Sequence, residues 1–165
     1  MSDVFALLIG YGNPGRGDDG LGPAFAQRIA DRGLPGLAVD IDFQLTADHA
    51  LTLSDYSLVI FADADLACAP PFSFQDVTGS KSETLGSHSV TPQGALGLAR
   101  LLFDATPEAH VLGIPGASFG KIEEGLSHTA LHNLDAAEAF FVRWYLERSK
   151  HLLDARTLDR TLPAS

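Results

Sequence analysis

Asp18 and Asp19 stand side by side inside GYGNPGRGDDGLGP, residues 10–23, just behind Gly10, Gly12 and Gly15 in the spacing G-x-G-x-x-G. Two chemistries compete for this stretch. Glycines so spaced between a strand and a helix cradle a dinucleotide pyrophosphate, whereas adjacent carboxylates repel that anion and suit a cation. Asp40 and Asp42 lie about 20 residues further on, where a ribose-binding acid belongs. Against the nucleotide, Pro14 follows the second glycine, and Asp18 and Asp19 occupy the place of the phosphate. The stretch reads better as one wall of an acidic site.

Further donors follow along the chain. Asp63 and Asp65 end the run SLVIFADAD, and Ser87-His88 lies just before a helix start at Thr91. Two carboxylates and an imidazole supply O, O and N ligands, a mixture that nickel or zinc accepts, and they leave positions open for ligands from elsewhere. Asn13, whose amide both donates and accepts, and the N–H groups of the glycine-rich turn, Gly12 included, are candidates for orienting a peptide or its oxyanion. Each residue also has a structural reading. Asp18 or Asp19 can cap a helix, Asp18 being the better choice, and Asp63 can close an Asx turn. The glycines can simply serve turns and close backbone approach.

Other chemistries are weaker. Cys68 could pair with His88 as a thiolate nucleophile, but a lone cysteine is more often a small buried hydrophobe. Glu124, His128 and His132 fall at i, i+4 and i+8 on one helix face, without the H-E-x-x-H arrangement, and an exposed polar face is the simpler reading. Ser87 and His88 are adjacent and no G-x-S-x-G elbow occurs, which disfavours a serine hydrolase.

The elements that must position these residues alternate. Val4–Tyr11, Leu37–Phe43, Ser57–Asp63 and His110–Ile114 read as strands, and a continuous apolar run such as SLVIFAD suits the centre of a parallel sheet covered on both faces. Between them come helices at Gly20–Arg32, at Ala47–Leu53, and from Thr91, an N-cap followed by Pro92, to about Phe103. Ser127 caps a last helix to about Lys150, with Leu131, Leu134, Phe141, Trp144 and Tyr145 for its apolar face. The pattern predicts one three-layer α/β domain over 1–165, a mostly parallel twisted sheet with helices on both faces, and a loosely held charged tail over 154–165. Ligands of such a sheet bind outside the carboxyl ends of its strands, so the loops after Tyr11, Asp63 and Ile114 should gather at one edge.

Composition bounds the function. The chain has 165 residues, 45% of them hydrophobic, which suits a single core. A net charge of −10 argues against nucleic acid or anionic lipid as partner, and the apolar runs fall short of a membrane span. One cysteine allows no intrachain disulfide, and MSDVFALLIGYG carries neither a basic n-region nor a small-residue cleavage site, so a cytoplasmic protein is expected.

Four segments, LLIGYGNPGRGDDGLGP, SLVIFADAD, GSHSVTPQGALGLARLL and VLGIPGASFGKIEEGLS, resemble in that order the hydrogenase maturation proteases. That resemblance implies an endopeptidase that removes the C-terminal extension of a [NiFe] hydrogenase large-subunit precursor, with nickel arriving in the substrate and no tightly bound organic cofactor. In the family motif G-N-x-x-x-x-D-E/D-G the acid before the last glycine is metal-binding, and here it is Asp19, one methylene shorter than the glutamate of many members. The aspartate after the third strand corresponds to Asp63 and the histidine before the next helix to His88. The resemblance thus implies Asp19, Asp63 and His88 as the catalytic and metal-reading set, with Asn13, Gly12 and Gln44 against the substrate. GDDG, QLT at 44–46 and SHS at 87–89 are most similar to the branch serving cytosolic, NAD-reducing hydrogenases. The rival reading is a non-enzymatic α/β module that binds a nucleotide or nickel. Because Asp18 and Asp19 oppose phosphate, calorimetry with NAD, FAD or ATP is expected to give no binding, and a micromolar dissociation constant would overturn the acidic-site reading.

Overall fold

In the computed structural model, residues 4–80 and 90–161 are described, residues 153 and 155–161 by their backbone alone. Five strands form one sheet in the order β2-β1-β3-β5-β4: β1 (Ala6–Tyr11), β2 (Leu37–Asp42), β3 (Leu58–Ala64), β4 (Ser73–Asp76) and β5 (Glu108–Ile114). All neighbours are parallel except β4, which runs antiparallel to β5 along one edge. The α/β class with a mostly parallel sheet is as the sequence predicts. The edge strand is not: SFQD is four residues long without an apolar run, and only the free edge of β5 makes it a strand.

Helices α1 (Leu21–Arg32) and α4 (His128–Thr161) cover one face, and α2 (His49–Leu53) and α3 (Pro92–Phe103) the other. Strand residues alternate between the two layers as a pleat demands. Leu8, Leu58, Ile60 and Leu112 meet Phe25, Leu134, Phe141 and Tyr145. Leu7, Ile9, Val59 and Phe61 meet Leu53, Ala95 and Ala99. The Tyr145 hydroxyl, buried with its ring, donates to the Pro35 carbonyl at 2.5 Å. Of the apolar face expected for the last helix, Leu134, Phe141 and Tyr145 are buried, Trp144 packs edge-on against Phe74 and His110, and Leu131 is exposed. α4 extends to Thr161, beyond the end expected near Lys150 and into the stretch from 154. No glycine or proline interrupts the sequence before Pro163, so nothing there breaks the helical hydrogen-bond ladder.

The chain runs from β1 outward to β2, then back across β1 to β3, so the winding direction reverses between β1 and β3. In sheets of this kind that reversal opens a crevice at the carboxyl ends of the two strands. α1 packs directly over it. Gly22, in the first turn of α1, lies so close that a Cβ would stand 2.3 Å from the Tyr11 carbonyl oxygen and 2.6 Å from that of Ala62. Replacing a helical glycine by alanine ordinarily stabilises by about 1 kcal/mol. Here overpacking against two strands wins: Gly22→Ala should lose about 1–3 kcal/mol in urea unfolding, and a variant as stable as the parent would contradict this packing.

Candidate active site

The turn after β1 is built from its own backbone. A short 3-10 turn, Gly17–Gly20, leads into α1, and neither Asp18 nor Asp19 caps it. Asp18, fully buried, reaches instead across the edge to the loop after β5. One of its carboxylate oxygens accepts from Ala117 N at 2.7 Å, Ser118 N at 2.8 Å and the Ser127 hydroxyl at 2.6 Å, and the other from Ser127 N at 2.8 Å. Burial pushes its proton affinity up, but these bonds outweigh it and hold the carboxyl below the usual carboxylate range. The Ser127 hydroxyl in turn accepts from Ala130 N at 3.1 Å, so the N-cap of α4 foreseen at Ser127 is present and is fastened by Asp18. Asp18 thus has the structural role, though for a different helix from the one beside it.

Asp19 stands on the other side of the turn and accepts from Asn13 N at 2.8 Å. Gly12, at φ 145°, admits the backbone of Asp19 so closely that a Cβ would meet its carbonyl oxygen at 2.1 Å. One expectation fails here. Every N–H from Gly12 to Asp19 that proline leaves available is already bonded inside the protein, to Asp42, Asp19, Asn13, Glu123, Ser118 or Arg16. The turn therefore offers no backbone donors to a pyrophosphate or an oxyanion. Asn13 spends its side-chain oxygen on Gly15 N at 2.9 Å, and its amide N–H groups have no hydrogen-bond partner among the described residues.

Asp63 lies at the end of β3, beside β1 in register, so that Tyr11 and Asp63 extend past the last paired residues Gly10 and Ala62. Burial first, then the negative charges of Asp19 and Asp65, push its proton affinity up to about 7, against the lowering effect of the Ala64 N–H and the Tyr11 hydroxyl. Tyr11 donates to Asp63, and burial together with that carboxylate drives its own proton affinity well above the ordinary phenol value. Sequence reasoning missed Tyr11. The signal available was its place, last in the first strand and next to the acid of the third in a parallel sheet. A cavity of about 450 Å³ adjoins the pair, lined by Tyr11, Asp63, Asp65, Gln75, Asp76 and Gln93 among others. Across the glycine-rich turn an uncharged groove of about 320 Å³ is lined by Pro14, Gly17, Pro23, Ile41 and Leu126.

The remaining candidates sort themselves. Gln44 is exposed on the turn after β2. His88 and Ser87 lie outside the described residues; the description resumes at Val90, and the helix that follows starts at Thr91, capped as expected by a Thr91 hydroxyl accepting from Gly94 N at 3.1 Å. Pro92 and Gln93 line the Asp63 cavity. Asp65 is structural, one oxygen accepting from Ala67 N and Cys68 N. Burial and Asp65 push the Cys68 thiol up, and its sulfur donates to the Gly113 carbonyl at 3.6 Å, the opposite of an activated thiolate. Asp40 and Asp42 face His49, not a ribose. Glu124 precedes α4, and it, His128 and His132 are exposed. Among the described residues no three His, Cys, Asp or Glu side chains are placed to hold a metal ion, and no helix is long and apolar enough to cross a membrane.

No protein-family model and no curated protein matches the sequence. Solved structures do. The chain is similar to the hydrogenase 2 maturation peptidase of a Thaumarchaeota archaeon, at 25% identity and TM-score 0.62 over 84% of this chain and 96% of that one. It is similar in fold to the hydrogenase maturating endopeptidase HybD of E. coli, at 19% identity and TM-score 0.63 over 87% and 93%. The same holds for the [NiFe] hydrogenase maturation protease HycI of Thermococcus kodakarensis, at 19% and 0.62 over 83% and 90%. Fold and site define an α/β protein with two aspartates at the switch point of its mostly parallel sheet. The solved structures it resembles in fold are named as hydrogenase maturation proteases or peptidases.

The sign of the Asp63 shift makes it measurable. Its folded proton affinity is raised above the unfolded one, so its contribution to stability falls as pH rises from the ordinary carboxylate range to about 7 and is constant above. Relative to Asp63→Asn, the parent should lose roughly 1.4 kcal/mol per pH unit through that window. Urea unfolding of both from pH 4 to 8 measures the difference, and a flat one would refute the shift.

Proposed function

We propose that the protein is a cytoplasmic endopeptidase that removes the C-terminal extension of a nickel-loaded [NiFe] hydrogenase large-subunit precursor, in the branch serving NAD-reducing hydrogenases. The observation that carries this reading is the half-buried Asp63 on the cavity wall, its proton affinity raised by burial and by the charge of Asp19. A carboxylate whose ionised form is disfavoured by a neighbouring carboxylate suits a cation, and the precursor's nickel supplies one.

Asp19, Asp63 and His88 are the donors assigned to that nickel, which is part of the substrate. The assignment gives a test of loading. Beside an unloaded precursor Asp63 keeps its proton for much of the time near neutrality. Beside a loaded one the cation favours the carboxylate, which can then hold the metal and draw a proton from water as its oxygen bonds to the scissile carbonyl carbon. The carbon–nitrogen bond breaks and the proton leaves on the new amine. Tyr11 keeps Asp63 aimed through the bond it donates. The Asn13 amide is the donor for the peptide oxygen, since Gly12 and its neighbours have spent their N–H groups. Gln44, exposed on the turn after β2, is the residue assigned to hold the extended substrate.

Asp19→Asn, Asp63→Asn and His88→Ala should each lower processing of the loaded precursor by about 100-fold or more, read by the mass of the product, with folding checked by circular dichroism. Asp19→Glu should retain cleavage, and Cys68→Ser should be near normal. Loss of cleavage in Cys68→Ser, with His88→Ala and Asp63→Asn still active, would replace this mechanism by a cysteine peptidase; nickel binding without any cleavage by the parent would leave a non-enzymatic nickel module.

A further inference from the structure

His49 is a nearly buried imidazole that the mechanism does not use. It sits in the first turn of α2, and its Nδ1 accepts from Thr46 N at 3.0 Å while its own N–H donates to the Thr46 carbonyl at 3.1 Å. The imidazole thus satisfies a backbone donor just ahead of α2. A backbone N–H can only donate, so Nδ1 is unprotonated and the ring proton is on Nε2. That nitrogen faces Asp42 at 3.5 Å and Asp40 at 3.9 Å.

The N–H held by His49 belongs to the same peptide unit as the Leu45 carbonyl, and that carbonyl accepts from Val90 N at 3.1 Å. One rigid, planar group is therefore pinned at both ends, by an imidazole on one side and by residue 90 on the other. Leu45 is buried and locks the turn into the α2/α3 layer, while Gln44 before it is exposed. Val90 lies two residues after His88 and three before Gln93, which lines the Asp63 cavity. We infer that His49 is a positioning residue: by fixing the Leu45–Thr46 peptide it sets both the Gln44 turn and the point at which the chain joins the acidic edge through Val90. The consequence for cleavage rests on the proposed peptidase reading; the positioning itself does not.

Side-chain isosteres separate the two ring nitrogens. Asparagine places an acceptor where Nδ1 stands, glutamine places its amide near Nε2, and leucine offers neither. Amide hydrogen exchange by NMR should quicken about 10-fold or more at both Thr46 and Val90 in His49→Leu and His49→Gln, stay near the parent rate in His49→Asn, and leave Ile60 in β3 unchanged. With the nickel-loaded precursor, KM should rise about 10-fold in the Leu and Gln variants with kcat nearly unchanged, and Asn should restore it. Should His49→Leu fail to fold, the Asn and Gln pair decides. Parent-like exchange at Val90 in His49→Gln, or altered exchange with KM unmoved in every variant, would overturn the inference. Altered exchange in the variants, alongside a parent that does not cleave at all, would sustain the positioning and sink the peptidase reading.

Discussion

The site edge depends on one buried carboxylate. Asp18 gathers three backbone N–H groups and a hydroxyl from the loop after β5 and the start of α4 onto the turn after β1. Those segments also bond directly, Gly17 N to the Glu123 carbonyl, Asp18 N to that of Ser118, and Glu123 N to that of Gly15. Without the carboxylate, several buried donors would be left unpaired, each at about 1–3 kcal/mol. The same clamp fastens the cap of the longest helix, so the position of α4 and the shape of the acidic edge are a single decision. Its low proton affinity makes this clamp strongest above the usual carboxylate range and weakest in acid.

With the turn held from outside, its glycines acquire a meaning that their spacing alone leaves ambiguous. In a nucleotide fold such glycines free N–H groups for phosphate. Here the N–H groups are consumed in folding the turn on itself, and the glycines serve approach: Gly12 lets Asp19 come close and Gly22 seats α1 on β1 and β3. The anion site is thereby closed and a carboxylate is delivered in its place. Asp63, half-buried beside that carboxylate, then carries a proton affinity near neutrality, because partial burial first and the neighbouring negative charges second disfavour its ionised form.

Two adjacent aspartates end with opposite fates, and the contrast is electrostatic. Asp18 meets only donors and is held ionised; Asp19 meets one donor and contributes its charge to raising Asp63. The first stabilises the fold and the second makes ionisation of Asp63 more costly. A chain with a net charge of −10 concentrates part of that excess where a cationic substrate group would relieve it.

Much of this was legible in the chain itself. The period of its apolar residues determined the four parallel strands, the helices α1 and α3 and the two-faced sheet, because burial on both faces and on one stripe leave different periodicities. The caps at Thr91 and Ser127 and the gathering of Asp19 and Asp63 at the carboxyl edge followed from local chemistry and topology. What the tertiary structure alone decided are the partners of groups far apart in sequence: Asp18 with Ser127, Tyr11 with Asp63, the edge strand β4 with β5, and the Leu45–Thr46 peptide between His49 and Val90. Periodicity tells which face a residue takes, but a hydrogen bond needs a distance and a direction. Those are set by how closely the layers pack, and that closeness is a property of the assembled sheet and helices together.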